Sequence, residues 1–209
     1  MEFAEIIQSA QHGNLSAFNE LVLKYQNRLY SVAVRMLEDE DDAEDAVQTA
    51  FVLAFRGLKH YRGGSFEFWL LRILKNVCYD ELRRQKRHNA CTLEPWLYDE
   101  DENETPAWLM DPTQNPLQEI EMGELERAIQ AGLHRLPPEY RLVLTLIDIE
   151  GLDYAQAALV LRVPLGTVKS RLARARLQLR RLLQKQPDLL PTHYTPLSLR
   201  LSTAASAIG

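Results

Sequence analysis

Apolar side chains recur at helical spacing along most of this chain. Phe18, Leu21, Val22, Tyr25, Leu29, Val32, Ala33 and Met36 keep one unbroken stripe, the 3.6-residue period of a helix with one buried face. A second stripe follows through Ala43, Val47, Ala50, Phe51, Ala54, Phe55 and Leu58, and a third through Trp69, Leu70, Ile73, Leu74, Val77 and Leu82. Three such faces can close one core. After a long interruption the pattern resumes at Ile120, with Leu125, Ile129, Leu133 and Leu136 on one helix and Leu142, Val143, Leu146 and Ile147 on the next. β-Branched runs stay short and no segment alternates. The pattern predicts an all-α chain of two small helical domains, a size that 209 residues support.

The segment from Asp153 to Arg181 predicts a helix-turn-helix. Gly151 can end one helix, and Asp153 is placed to N-cap the next, with Gln156 three residues on as its reciprocal partner. Ala155, Ala158, Leu159 and Leu161 are expected to give this short helix its apolar side. Val163-Pro164-Leu165-Gly166 breaks it, because proline lacks a donor and disfavours the α region for the residue before it. Thr167 is the expected cap of the second helix, whose inward face is Val168, Leu172, Ala175 and Leu179. Lys169, Ser170, Ala173, Arg174 and Arg176 then point elsewhere.

Charge sharpens this picture. The chain carries 24 Lys and Arg against 29 Asp and Glu, a net charge of −5. Yet between Tyr154 and Gln186 every charged residue is basic: Arg162, Lys169, Arg171, Arg174, Arg176, Arg180, Arg181 and Lys185. Such segregation in an acidic chain predicts a surface that faces a polyanion. From Asn89 to Glu126 the opposite holds: Lys and Arg are absent, prolines stand at 95, 106, 112 and 116, and Asp99 to Glu104 is nearly all acid. Residues 89–119 are therefore expected to be a long acidic linker between a domain at 1–88 and one at 120–186, with a C-terminal tail at 187–209. The linker is expected first of all to be a spacer; the opposed charges also raise the hypothesis of a compact free protein in which it shields the basic helices.

Two further clusters bear on function. His60-Tyr61-Arg62-Gly63-Gly64-Ser65-Phe66-Glu67-Phe68-Trp69 interleaves aromatics with a Gly-Gly turn between two helices. Aromatic faces in such a loop can hold unstacked bases, each stacking worth about 1–3 kcal/mol; Trp69, by its spacing with Ile73 and Leu74, is expected in the core. Capping and the helix dipole account for the acids at Glu38 to Asp41. Asp42, Asp45 and Gln48, at i, i+3 and i+6, share one outward side and suit rapid docking onto a basic partner.

Leu136-Pro137-Pro138-Glu139-Tyr140-Arg141, Glu150-Gly151-Leu152-Asp153-Tyr154 and Gly166-Thr167-Val168-Lys169-Ser170-Arg171-Leu172 resemble region 4 of sigma factors, most strongly the extracytoplasmic-function class. Asp42-Ala43-Glu44-Asp45-Ala46-Val47-Gln48, Tyr61-Arg62-Gly63 and Phe68-Trp69-Leu70-Leu71-Arg72-Ile73-Leu74-Lys75-Asn76 are similar to region 2 of the same family. The resemblance covers about two thirds of the chain. It implies a non-enzymatic, cofactor-free subunit that directs core RNA polymerase to promoters.

The resemblance further implies that Thr167, Lys169, Ser170, Arg171, Ala173, Arg174 and Arg176 form the recognition helix on −35 duplex DNA. Lys or Arg on a guanine edge discriminates by about 1–3 kcal/mol, and Ala173 offers apolar contact only. Tyr61, Arg62, Ser65, Phe66 and Asn76 would trap a base flipped from the melted −10 non-template strand, and Arg83 and Arg84 would meet nearby phosphates. Between Arg62-Gly63 and the tryptophan the loop is one residue shorter than the commoner family pattern. Asp42, Asp45 and Gln48 would dock on the clamp helices of the largest catalytic subunit, and the region 4 domain on the flap of the second-largest. An anti-sigma factor is an implied partner.

Other classes fit less well. A free-standing helix-turn-helix regulator is the alternative reading, but it has no use for the aromatic loop. A magnesium-dependent helical phosphohydrolase needs a second carboxylate pair opposite Asp42, Glu44 and Asp45, and the candidates Glu20, Glu67, Asp80 and Glu81 are scattered. Cys78 and Cys91 are too few for a disulfide framework or a complete zinc site. No apolar run predicts membrane insertion, and the start lacks a signal-peptide pattern, so a cytoplasmic location is expected.

Overall fold

Two side-chain caps fix where the first long helices begin. Asn14 accepts from the Ala17 amide at 3.2 Å and opens α2 (Leu15–Met36); Asp39 accepts from the Asp42 amide at 2.9 Å and opens α3 (Glu40–Gly57). Ahead of them stands α1 (Phe3–Gln11), which the sequence pattern did not single out. A single 3-10 turn, Leu58–His60, closes α3 before the aromatic loop, and α4 (Phe66–Cys91) runs beyond the boundary expected at 88.

The later elements are helical residues 127–134 (α5), α6 (Pro138–Leu144), a π-helical segment (Thr145–Ile149), α7 (Tyr154–Leu161) and α8 (Leu165–Gln184). The structure is a computed structural model that describes residues 3–91 and 127–184, with side chains described to residue 87 in the first stretch. Leu125, most of the expected linker and the tail at 187–209 lie outside the described residues. The described residues contain helices and turns and no strand.

The three N-terminal stripes meet as expected. Leu21, Leu29 and Met36 of α2, Ala43, Ala50 and Ala54 of α3, and Leu70 and Leu74 of α4 are buried, each large side chain contributing about 1.5–3 kcal/mol. Phe55 departs from the stripe, remaining 37% exposed while its ring meets Phe18 edge-on at 5.0 Å.

By its contacts the chain divides into two compact units, Met1–Glu94 with Leu133–Gln178, and Pro95–Gly132 with Leu179–Gly209. Within the first unit, α6 packs on α2 and α7 on α4. Arg141 of α6, 5% exposed, donates to the carbonyls of Met36, His134 and Leu136. Burial pushes its pKa down, partly offset by Glu38 and Tyr79. Arg28 of α2 ion-pairs with Glu67 of α4, and it also reaches Glu150 through the carboxylate at 3.2 Å and the carbonyl at 2.9 Å. Ser31 donates to the same carboxylate. In the second unit, Gly132 is buried, and a Cβ there would stand 2.7 Å from a Leu179 methyl and 3.6 Å from one of Leu183. A glycine permits this close approach despite its poor helix propensity.

Candidate nucleic-acid interface

The helix-turn-helix is held by three local devices. The helical run through the π segment ends at Gly151, whose φ of +73° is the left-handed conformation, and the Leu152 amide turns back to the Leu146 carbonyl at 2.9 Å. Asp153 and Gln156 then form the expected reciprocal capping box, with bonds of 2.8 and 3.0 Å. The turn after α7 is made by Arg162 at φ +57°, earlier than the expected break at Val163-Pro164. Its amide bonds Ala158 O at 2.9 Å, so hydrogen bonding at the helix end offsets a conformation costing a non-glycine residue about 1 kcal/mol.

Two expectations need correction here. The buried face of α7 is Ala157, Val160 and Leu161; Ala155 is exposed and Leu159 is 64% exposed. Thr167 does not cap α8, because the helix starts at Leu165 and the Pro164 carbonyl already accepts from Val168. Proline supplies the fixed φ that this entry needs, so Thr167 lies half-buried in the first turn.

Along α8, Val168, Leu172 and Ala175 are buried and Leu179 is half-buried, as the stripe predicts. Lys169, Ser170, Ala173 and Arg174 are exposed together on the outer side. The Lys169 ammonium lies 5.8 Å from the Tyr154 ring centre. Arg171 is half-buried and close enough to Tyr79 of α4 to act on its ionisation. Arg176 forms a two-point pair with Asp148, Nε to Oδ2 at 2.9 Å and a terminal nitrogen to Oδ1 at 2.5 Å. That hydrogen bond raises its pKa. In this conformation Arg176 fastens α8 to the π segment.

In the same unit, the aromatic loop is a short, closed ring. Gly63 and Gly64 take φ +96° and +91°, and the Tyr61 hydroxyl donates across the loop to Gly64 O at 2.7 Å. Ser65 accepts from the Phe68 amide at 3.3 Å at the start of α4. Arg62 and Ser65 are exposed and Tyr61 is half-buried. Phe66 is 2% exposed, which corrects its placement among the base-contacting residues: its ring is the floor on which Tyr61, Trp69 and Tyr25 stand, 5.4–5.8 Å between centres. Trp69 is half-buried beside Tyr61 at 5.3 Å, more open than a pure core residue.

Asn76 is exposed on α4. At the preceding position, the Lys75 ammonium lies 3.5 Å from the carbonyls of both Val160 and Leu161, and burial lowers its pKa, with Arg162 and Arg72 adding to the effect. Arg83 pairs with Asp80 at 2.9 Å and Arg84 with Glu81 at 2.8 Å, both on the surface. Exposed pairs of this kind are worth about 0–1 kcal/mol, so phosphates can displace them. Asp42 is half-buried and accepts from Gln85 at 2.8 Å, tying α3 to α4, whereas Asp45 and Gln48 face outward as expected. Sequence reasoning missed the apolar continuation of that face, Val52 at 50% and Leu53 at 43% exposed. Their position off the inward stripe was the available signal. Among the described residues no group of three or more His, Cys, Asp or Glu side chains converges, and no helix is long and apolar enough to cross a membrane.

A helix-turn-helix whose second helix exposes basic side chains, and a closed aromatic loop in the same unit, are the features of a DNA-binding protein. Residues 21–88 match the model for sigma-70 region 2, and residues 126–179 that for sigma-70 region 4. The chain is 40% identical over 171 residues to the ECF RNA polymerase sigma factor SigE of Mycolicibacterium smegmatis, covering 82% of this chain and 63% of that protein. It is 34% identical over 176 residues to the RNA polymerase sigma-H factor of Pseudomonas aeruginosa, covering 82% and 89%. Among solved structures, CnrH in complex with the cytosolic domain of CnrY aligns with a TM-score of 0.60 at 26% identity, over 86% of this chain and 96% of that one. The sigma factor RpoE of Bartonella quintana, in complex with the anti-sigma factor NepR, shares the fold, with a TM-score of 0.61 at 24% identity over 80% and 96%. The chain belongs to the extracytoplasmic-function sigma factors of the sigma-70 family, alternative subunits that direct RNA polymerase to promoters.

Proposed function

We propose that this sigma factor reads −35 duplex DNA with Lys169, Ser170, Ala173 and Arg174, and traps a melted −10 base at the loop Tyr61-Arg62-Gly63-Gly64-Ser65 with Asn76. The observation that carries this reading is the joint exposure of those four residues on α8, behind a turn fixed by Gly151, Asp153 and Arg162. Arg171, Arg176 and Thr167 act from the sides of the helix, and Arg83, Arg84 and Arg87 meet phosphates. Residues 1–88 work as the −10 and polymerase module and 120–186 as the −35 module, joined by 89–119.

Asp45 and Gln48, with Val52 and Leu53 beside them, dock on the clamp helices of the polymerase, and Asp42 supports that face through α4. The region 4 module meets the flap. An anti-sigma factor is the expected regulator, since the RpoE relative was solved with the anti-sigma factor NepR and CnrH with the cytosolic domain of CnrY. No step requires a catalytic residue or cofactor, and the site of action is the cytoplasm.

The test is run-off transcription with bacterial core polymerase on a promoter library, with and without this protein. Protein-dependent initiation that yields distinct −10 and −35 sequences is expected. Duplex binding without any initiation would favour a free-standing regulator.

A further inference from the structure

The helix that the sequence pattern did not single out touches the −10 loop directly. Gln11, the last residue of α1, directs its side-chain amide at two backbone carbonyls about fifty positions away in sequence, Leu58 O at 3.1 Å and Tyr61 O at 2.9 Å. A glutamine amide has two N–H groups, and both are used. The two carbonyls bracket the 3-10 turn that leads into the loop, and Leu58 O also accepts the Tyr61 amide at 3.0 Å. Gln11 thus fixes the backbone of the residue whose ring would stack on the captured base.

The rest of α1 is anchored for this task. Phe3 joins the aromatic floor, edge-on to Phe66 at 6.4 Å and to Tyr25 at 6.1 Å, and the Lys24 ammonium covers its outer face at 4.0 Å. At the other end Gly13 turns the chain at φ +94°, the Asn14 side chain donates to Ser9, and the His12 ring bonds Gln8 O at 2.7 Å. Both ends of α1 are therefore held, and Gln11 cannot withdraw without disturbing the α1–α2 corner. Among the described residues, one side-chain hydrogen bond from within the loop crosses the ring, Tyr61 hydroxyl to Gly64 O. Two consecutive positive-φ glycines leave the backbone there intrinsically permissive. A site that must hold a base in one orientation needs support from outside the loop.

We propose that Gln11 is a positioning residue for promoter recognition: its carboxamide holds the carbonyls of Leu58 and Tyr61 so that the loop 61–65 presents one shape to the melted strand. This rests on the −10 reading above. The variant Gln11→Met keeps the length of the side chain and removes both donors, and Gln11→Asn keeps the donors on a stem one carbon shorter.

Two measurements on the full chain separate the possibilities. Amide hydrogen exchange, without DNA, is expected to rise at least fivefold at residues 62–65 in Gln11→Met, with Gln11→Asn intermediate. Open-complex formation with core polymerase is then measured on promoters carrying each of the four bases at the captured −10 position. The wild type is expected to discriminate among them, and Gln11→Met to lose roughly fivefold of that ratio, the worth of about one hydrogen bond. Unchanged exchange and unchanged discrimination alongside a lower melting temperature would make Gln11 purely structural and overturn the proposal, leaving the −10 reading intact. Absence of base discrimination in the wild type would overturn the −10 reading itself. Should Gln11→Met not fold, Gln11→Asn carries both measurements, and wild-type values for it would overturn the proposal.

Discussion

At the scale of single residues, burial decides which polar groups are chemically available. Cys78 is wholly buried, and desolvation pushes its thiol up to about 12, so it stays protonated and inert at neutral pH. Mass spectrometry after iodoacetamide treatment at pH 8 is expected to find the peptide carrying Cys78 unmodified in the folded protein and fully modified in denaturant. Thr145 presents the opposite situation: its hydroxyl is buried at the start of the π segment and has no hydrogen-bond partner among the described residues. An unsatisfied buried hydroxyl costs about 1 kcal/mol or more. Thr145→Val is therefore expected to stabilise the fold by about 1 kcal/mol in urea unfolding, and a loss of stability would mean that the hydroxyl is used. On the exposed face of α8 the predicted effect is on binding. Arg174→Ala should weaken −35 duplex binding by about 1–3 kcal/mol and relax preference at one base pair if the guanidinium reads a base edge. A uniform loss across sequences with a shallower salt slope would assign it to phosphate instead.

At the scale of elements, the sequence was most legible where a local device acts alone. The Asp153–Gln156 box, the Gly151 stop and the Asn14 and Asp39 caps each follow from one or two residue types at fixed spacing. Replacing Asp153 by Ala should cost about 1 kcal/mol in thermal unfolding and lower −35 binding only as far as folding falls. A larger binding loss at temperatures where the variant is folded would give Asp153 a direct role at the DNA. Legibility ended where two elements choose between equivalent patterns. Ala155, Ala157, Ala158, Leu159, Val160 and Leu161 make α7 apolar nearly all round, so periodicity could not tell which side α4 covers. Phe66 looked available because it sits in a Gly-rich loop, but it is the first residue of α4 and four residues before Leu70, which puts it on the core stripe. Arg176 and Asp42 looked outward by helical phase; their partners Asp148 and Gln85 come from elements distant in sequence, which no local rule announces.

At the scale of the whole molecule, the contacts within the first unit set a conflict between the free protein and the working one. Arg141 is sunk among carbonyls of α2 and of the α5–α6 turn, Arg28 and Ser31 hold Glu150, and Lys75 faces the carbonyl end of α7. These bonds keep the recognition helix on the same compact body as the aromatic loop. Promoter elements at −10 and −35 are separated by many base pairs, each about 3.4 Å along the duplex, so under the proposed reading, engaging both at once would require these contacts to break. Hydrogen bonds to charged groups such as these are worth about 1.5–3 kcal/mol each. Arg28→Ala with Glu150→Ala should therefore open the free protein, seen as a larger radius of gyration in scattering at low salt; an unchanged radius would mean that the remaining contacts, Arg141 and Lys75 among them, suffice for closure. Acid should act in the same direction. His134 lies between α2 and α6 with Arg141, Glu38 and the carbonyls of Val34 and Leu37 around it, and burial together with Arg141 lowers its pKa. A lowered pKa means that the open or unfolded form binds the proton more tightly, so closure is fully favoured above about pH 6.5 and weakens as pH falls below it. Between pH 7.5 and 5.5 the wild-type radius is expected to grow, and His134→Gln, which cannot be protonated, should keep one radius across that range; equal pH dependence in both proteins would place the titration elsewhere.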